Sequence, residues 1–393
     1  MKVIQAVKYF PPPFGGMETV IEELTKGLLA LDPCIQMSVL ATHPHPASVE
    51  WSEDNRLRVE RVNILAYLAR TPIAPAYPVR LKSLEGDLVH FHFPYPWAEL
   101  AQLFNGGNRP YIVTYHSDIV RQKRLLRLYQ PFMRRFLRGA SRVVIGSPHL
   151  LETSHELQVL PKGRVEVVPF GITTSAFATN GTTSISSLPL KRKICGGGYL
   201  LLFVGRIVYY KGLGVLLKAL QSVDAHLAIV GEGPLRQENE RLALNLGVGD
   251  RVHWLGSVST TELRDLYQAA DLFILPSTEV AEAFGMVQLE AMSCCKPVIC
   301  TDLPSGVPWV NQHGVTGLVV PPGDSDALAS AIALLLADPA LRERLGLRGR
   351  ERVVSEFSVR RLVDQTTGLY RSIAQQDQDA NAVPSARSST SRL

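Results

Sequence analysis

Cysteine is scarce. Five occur in 393 residues, Cys34, Cys195, Cys294, Cys295 and Cys300, and their spacing holds no CxxC and no zinc-ligand pair. A disulfide framework and a structural zinc site are therefore excluded, and the thiols read as reduced packing residues. Also missing is any run of about 18 uncharged apolar residues of the kind a membrane-spanning helix needs. The opening MKVIQAVKYF enters a strand-like stretch with no apolar block and cleavage site of a signal peptide, so a cytoplasmic location is expected. No repeat with a period of 20 to 50 residues stands out. What is present, 46% hydrophobic and 20% charged residues, is the composition of a globular protein, and 393 residues exceed what one core usually serves.

Charge is unevenly placed. Residues 1–175 carry 20 Lys/Arg against 15 Asp/Glu, whereas residues 176–393 carry 21 of each, so the first half holds the whole net charge of +5. The excess peaks at RQKRLLRLYQPFMRRFLRGASR (121–142), with eight basic residues and no acidic one. Leu125, Leu126, Leu128, Phe132, Met133, Phe136 and Leu137 recur there at roughly helical spacing, which predicts a helix with one apolar face and cationic flanks. Such a helix suits an anionic membrane surface, and the inner face of the plasma membrane is the location it implies. A solvated basic face is the plainer alternative. No nucleic-acid motif accompanies the patch.

Short apolar or β-branched runs alternate with amphipathic ones: VIQAV (3–7), MSVLAT (37–42), LRVERV (57–62), LVHFHF (88–93), YIVTYH (111–116), RVVIGS (142–147) and VEVVPF (165–170). A Ser/Thr/Gly-rich stretch without apolar period follows at 173–198 and predicts a linker. A second series then runs through YLLLFVG, AHLAIVG, VHWLGS, LFILPS, KPVICTD and TGLVVPPG. Strand–helix alternation means parallel sheets covered by helices, so the chain reads as α/β with two doubly wound, Rossmann-like domains. The expected division is 1–175, 176–357, a last helix at about 358–376 returning to the first domain, and a disordered tail at 377–393.

In such sheets ligands bind beyond the carboxyl ends of strands, where helix starts present free amides. Three segments fit. FVGRIVYYKGLGVLL (203–217) ends a strand at Gly205 and follows it with Arg206 and Lys211, two cations suited to a diphosphate. VGEGP (230–234), with Glu232 at its centre, is a glycine turn where a backbone can approach a ligand, or simply a turn. EAFGMVQLE (282–290) puts Glu282 in a loop, the amides of Phe284, Gly285 and Met286 at a helix start, and Glu290 more than a turn into the helix.

GRxxxxKG, then EAFGxxxLEAMxxxxPVI about 70 residues later, then GVTGLVVPPGD, together resemble the retaining GT-B glycosyltransferases of family 4. The likeness spans essentially the whole chain. It implies a GT-B fold with two Rossmann-like domains facing a central cleft, Arg206 and Lys211 on the donor diphosphate, Glu282 on the transferred sugar and Glu290 on the ribose. Amides near Phe284, Gly285 and Met286 would meet the phosphates, and Gly205 and Glu232 fall among the donor-binding positions. PPPFGGMET (11–19) resembles the family's glycine-rich loop, which sets Gly15 and Gly16 across the cleft. TYHSDIVRQK places His116 near the donor sugar, although the residues alone leave it open between site and core. His92 is expected on the acceptor side. Where many members read GGxxE, this chain has LPSGVPWVNQHG with Pro308 and Trp309, and no role is assigned there.

The resemblance implies transfer of a hexose with retention, from GDP-mannose first and a UDP-hexose second, to a saccharide or lipid-linked acceptor in surface polysaccharide synthesis. No metal or other cofactor is expected, since Arg206 and Lys211 already supply positive charge. Asp324/Asp326 opens a helix and reads as a cap, Asp377/Asp379 lies in the tail, and His90 and His92 lack further ligands. Two rival classes remain: a non-catalytic sugar-nucleotide or glycan binder in an assembly complex, and a GT-B epimerase. Slow donor hydrolysis separates an enzyme from a binder, and an altered donor formed without acceptor marks an epimerase.

Overall fold

The computed structural model describes residues 1–11, 15–52, 54–119, 123–177 and 188–382. Sixteen strands are described among them: β1 (Lys2–Ala6), β2 (Gln36–His43), β3 (Ser48–Trp51), β4 (Leu57–Asn63), β5 (Ala66–Leu68), β6 (Thr71–Ile73), β7 (Leu88–Phe93), β8 (Tyr111–Tyr115), β9 (Arg142–Ile145), β10 (Val165–Val167), β11 (Leu200–Val204), β12 (His226–Val230), β13 (Val252–Gly256), β14 (Leu272–Leu275), β15 (Val298–Thr301) and β16 (Gly317–Val320). They form an eight-stranded sheet in the order β10-β9-β8-β7-β1-β2-β4-β3, a six-stranded sheet in the order β13-β12-β11-β14-β15-β16, and the small β5–β6 hairpin. Every pairing in the six-stranded sheet is parallel. The eight-stranded sheet is parallel except for β3, the edge strand, which runs antiparallel along β4. Neither β3 nor the hairpin is foreshadowed by apolar alternation, because most of their side chains face outward.

Central strands are buried on both faces, which is why LLLFV and LVHFHF read as unbroken runs rather than alternating ones. In the first sheet, one face (Ile4, Val89, Phe91, Val113) packs on Tyr77, Ala98, Phe136 and Leu137, while the other (Val3, Leu88, Ile112) packs on Leu24, Leu28, Leu362, Val363 and Tyr370. The closing helix Val359–Ala382 thus covers the first sheet although it follows the second in the chain. Its contact with Gly16–Leu31 is close: a Cβ on Gly27 would lie 2.7 Å from Val363. The helix continues past 376 to Ala382, so the expected tail at 377–393 is helical at its start, and 383–393 lies outside the described residues.

One further expectation is amended. The linker predicted at 173–198 carries a helix, Leu188–Cys195, whose Leu190, Ile194 and Cys195 pack on the second domain's core; a single i, i+4 pair is too short a period to stand out in sequence. The basic helix spans Lys123–Gly139 with Pro131 inside it, and its apolar residues share one broad face opposite the basic ones, as expected, although the protein core covers only part of that face. Met133, Phe136 and Leu137 are buried, whereas Leu125, Leu128 and Phe132 point outward, with Leu128 76% exposed. Residues 121 and 122 of the segment 121–142 lie outside the described residues. Of the cysteines, Cys195, Cys294 and Cys300 are buried as expected and Cys34 is exposed.

Candidate active site

Strand order decides where each domain can hold a ligand. In the six-stranded sheet the chain proceeds from β11 outward to β13, then returns to pair β14 on the other side of β11. The crevice at such a reversal opens beyond the carboxyl ends of the two central strands. The loop after β11 carries Gly205, Arg206 and Lys211; the loop after β14 carries Ser277, Glu282 and Gly285. Here Lys211 Nζ and Glu282 Oε2 lie 2.6 Å apart, each residue 8% exposed. Ser277 Oγ donates to the same Glu282 oxygen at 3.1 Å. Gly212, at φ 68°, makes this approach possible, since a Cβ there would lie 1.8 Å from the carbonyl oxygen of Pro276.

Gly285, at φ 75°, caps the Met286–Ser293 helix, so the first amides of that helix open beside Glu282. Glu290, further along it, accepts from Tyr267 Oη at 2.7 Å. Burial raises the Glu290 carboxyl to about 7, against the Tyr267 hydrogen bond, which lowers it; Glu23 raises it further and Lys211 lowers it. Glu23 itself comes from the first domain, on the Gly16–Leu31 helix, and accepts from Thr173 Oγ1 at 2.6 Å. Tyr210, raised to about 12 by burial and by Glu282, senses the Arg206 charge, while Arg206 is exposed at the crevice lip.

VGEGP receives a different explanation from ligand approach. A Cβ on Gly231 would lie 2.2 Å from the Gly205 carbonyl oxygen, and one on Gly233 would lie 2.2 Å from that of Ile207. Both glycines let β12's loop press against the Arg206 loop, which Glu232 supports by accepting from the Ile207 amide at 3.0 Å through its backbone carbonyl. The Glu232 carboxylate is engaged with Arg236 at 2.6 Å.

The first sheet reverses at β1, which pairs β2 on one side and β7 on the other. Gly15 precedes the helix that follows β1, with Gly16 its first residue, and residues 12–14 lie outside the described ones. His116 follows β8 directly; its ring is 5.2 Å from Phe170, which in turn is 5.0 Å from Phe284. An aromatic contact thus joins the first domain to the amide-bearing loop of the second. Burial lowers His116 to about 3, so its ring is neutral. His92 corrects an expectation: it is 1% exposed, with both ring nitrogens bonded, to His116 at 2.9 Å and to Gln5 at 2.7 Å, and it lines no open acceptor surface. It sits on a central strand beneath the closing helix, which its place in LVHFHF did not reveal. Trp309 stands in the helix Val307–Val310 and packs on Phe284, Phe357 and Arg352, so this position is structural.

Sequence reasoning missed Ser277, Tyr267, Glu23 and Phe170. Each lies outside the motifs, and only tertiary packing brings it to the site: Glu23 and Tyr267 from helices, Ser277 and Phe170 from loops.

Two largely parallel α/β sheets, with a cation–carboxylate pair and a helix start at one switch point, are the arrangement expected of a GT-B glycosyltransferase. Two family models cover the chain in succession, Glycosyltransferase Family 4 over residues 14–176 and Glycosyl transferases group 1 over 189–352. D-rhamnosyltransferase WbpZ of Pseudomonas aeruginosa is 35% identical over 91% of this chain and 92% of its own. O-antigen chain mannosyltransferase C of Escherichia coli is 31% identical over 95% and 99%. Among solved structures, sucrose-phosphate synthase from Thermosynechococcus elongatus superposes with a TM-score of 0.80 at 25% identity, covering 96% of this chain and 100% of that one. The chain belongs to the family 4 GT-B glycosyltransferases.

Proposed function

We propose that the protein transfers a mannose-type hexose from its nucleotide-sugar to a hydroxyl of a lipid-linked saccharide during surface polysaccharide synthesis, with retention at the anomeric carbon. The observation that carries this reading is the Lys211–Glu282 pair beside the Gly285 helix start. An ammonium and a row of free amides suit a diphosphate, and a carboxylate within reach of the same point suits sugar hydroxyls. As the glycosidic bond loosens, charge builds on the departing diphosphate, and Lys211, Arg206 and the helix amides meet it. Lys211 and Arg206 then do electrostatically what a divalent cation does elsewhere. A phosphate oxygen on the face of attack takes the acceptor proton.

The sugar is read from two relatives whose names specify D-rhamnose and mannose. D-rhamnose is mannose without its 6-hydroxyl, so the names agree on ring stereochemistry and favour GDP-mannose over a UDP-hexose. The division at about residue 176 separates an acceptor domain from a donor domain, with the closing helix attached to the former. Leu125, Leu128 and Phe132 face outward among the arginines of the Lys123–Gly139 helix, beside a recess of about 450 Å³ lined by Gln130, Pro131, Arg134, Arg135 and Arg138. That combination suits an anionic membrane surface carrying the acceptor, with each basic side chain adding about 1 kcal/mol. No helix among the described residues is long and apolar enough to cross a membrane.

A thermal-shift panel of GDP-mannose, GDP-D-rhamnose, UDP-glucose and dTDP-sugars tests the donor, since a ligand that binds the folded state raises Tm. GDP-mannose or GDP-D-rhamnose is expected to give the largest shift. A larger shift with a UDP- or dTDP-sugar would overturn the donor assignment.

A further inference from the structure

Six side chains beneath the closing helix form one continuous hydrogen-bond chain. Thr114 Oγ1 meets His90 Nε2 at 2.6 Å, His90 Nδ1 meets Tyr370 Oη at 2.6 Å, and Gln5 Nε2 donates to Tyr370 Oη at 3.2 Å. On its other side Gln5 Oε1 meets His92 Nε2 at 2.7 Å, and His92 Nδ1 meets His116 Nε2 at 2.9 Å. None of the six is more than 7% exposed. The imidazoles are also stacked, with centroids 4.6 Å apart for His90 and His92 and 5.2 Å for His92 and His116.

Burial keeps all three imidazoles neutral, His90 and His116 at about 3 and His92 well below its ordinary value. A neutral imidazole has one donor and one acceptor nitrogen, so a chain of them transmits its polarity from end to end. Gln5 Oε1 only accepts, so His92 carries its proton on Nε2 and accepts at Nδ1. His116 must then donate from Nε2, which leaves Nδ1 as its acceptor nitrogen. In the other direction Gln5 donates to Tyr370, Tyr370 to His90 Nδ1, and His90 Nε2 to Thr114. Each of the five contacts then has one donor and one acceptor.

Fold stability alone gives little reason for this chain. The same sheet face elsewhere is built from Val3, Leu88 and Ile112, and buried polar groups are stabilising only when every partner is in place. The chain also has a direction: it runs along the carboxyl ends of the central strands and stops at His116, the member packed on Phe170 and through it on Phe284. Its middle member, Tyr370, lies 280 residues from His90 in sequence and is delivered by the closing helix.

We propose that this chain holds His116 in one ring orientation and one tautomer for sugar transfer, making Gln5, His92 and Tyr370 positioning residues of the active site. The proposal rests on the reading of His116 as a site residue.

The test uses the full chain, with kcat and KM for GDP release from GDP-mannose, or from the donor the panel selects, and ¹⁵N-histidine NMR to report tautomers. Tyr370→Phe and Gln5→Leu should each bring a second tautomer signal for His116. Both should lower kcat about tenfold, equivalent to about 1.4 kcal/mol, with KM within about twofold. Tyr77→Phe is the control: it removes a buried hydroxyl bonded to Val7 and Leu40 on the opposite face of the sheet, and should change stability only. A Tyr370→Phe enzyme that loses Tm but keeps wild-type kcat and a single His116 tautomer overturns the positioning role while leaving the site intact. Near-normal kcat in His116→Ala overturns the site reading itself, and the chain's role with it.

Discussion

Replacing Tyr267 with Phe should make donor binding more dependent on alkaline pH. The phenol donates to Glu290 Oε2 at 2.7 Å and lowers a carboxyl that burial has raised to about 7. A hydrogen bond to a charged group contributes about 1.5–3 kcal/mol, and one unit of pKa corresponds to about 1.4 kcal/mol. Loss of the hydroxyl should therefore move Glu290 up by about one to two units. If the carboxylate form accepts the ribose hydroxyls, affinity in the wild type rises with pH through about 7 and levels off above it. In Tyr267→Phe the midpoint should fall at about 8 to 9, and at pH 7.5 affinity should drop roughly three- to 25-fold. The assay is calorimetric titration with GDP-mannose from pH 6 to 9.5, a donor whose esterified diphosphate does not itself titrate there. Glu290→Gln should bind weakly with no midpoint. A midpoint that stays put or moves down in Tyr267→Phe would refute the account of Glu290.

The remaining predictions concern charge. Lys211→Ala should lower turnover by at least about 100-fold, the scale of losing one preorganised electrostatic contact, and it should also lower Tm because it strands the buried Glu282 carboxylate, at a cost of about 3–5 kcal/mol. Lys211→Ala/Glu282→Gln should regain stability without regaining activity, and recovery of turnover in the double variant would remove the phosphate assignment. For the membrane, sedimentation with vesicles containing phosphatidylglycerol should fall several-fold in Arg135→Ala/Arg138→Ala/Leu128→Ser, while GDP-mannose hydrolysis is unchanged. Equal sedimentation of variant and wild type would remove the membrane role of the Lys123–Gly139 helix.

Much of the architecture can be read before any coordinates. Parallel strands must be buried on both sides, so they announce themselves as unbroken apolar runs, and LLLFV, LFILP and LVHFHF all proved to be central strands. The same physics hid the edge strand β3 and the β5–β6 hairpin, whose outward side chains carry no apolar pattern. Local chemistry is equally legible where it is local: Asp324 caps its helix by accepting from the amides of Asp326 and Ala327, and Gly285 takes the left-handed conformation that opens the next helix.

Lys211 and Glu282 could each be singled out from motifs. That they would hold each other at 2.6 Å could not, because the contact depends on β11 pairing with β14 on one side while β12, its neighbour in sequence, pairs on the other. His92 shows the limit most plainly. Its strand placed it near the end of β7, but only the return of the closing helix, bringing Tyr370 over the first sheet, turned an acceptor-side candidate into a buried link to His116. The sequence by itself settles strands, helix starts and which loops bear charge, because hydrogen bonding and apolar burial act over short stretches of chain. Which loops face one another is decided by strand order and domain packing, and these depend on contacts between residues far apart in sequence, 71 positions for Lys211 and Glu282 and 365 for Gln5 and Tyr370.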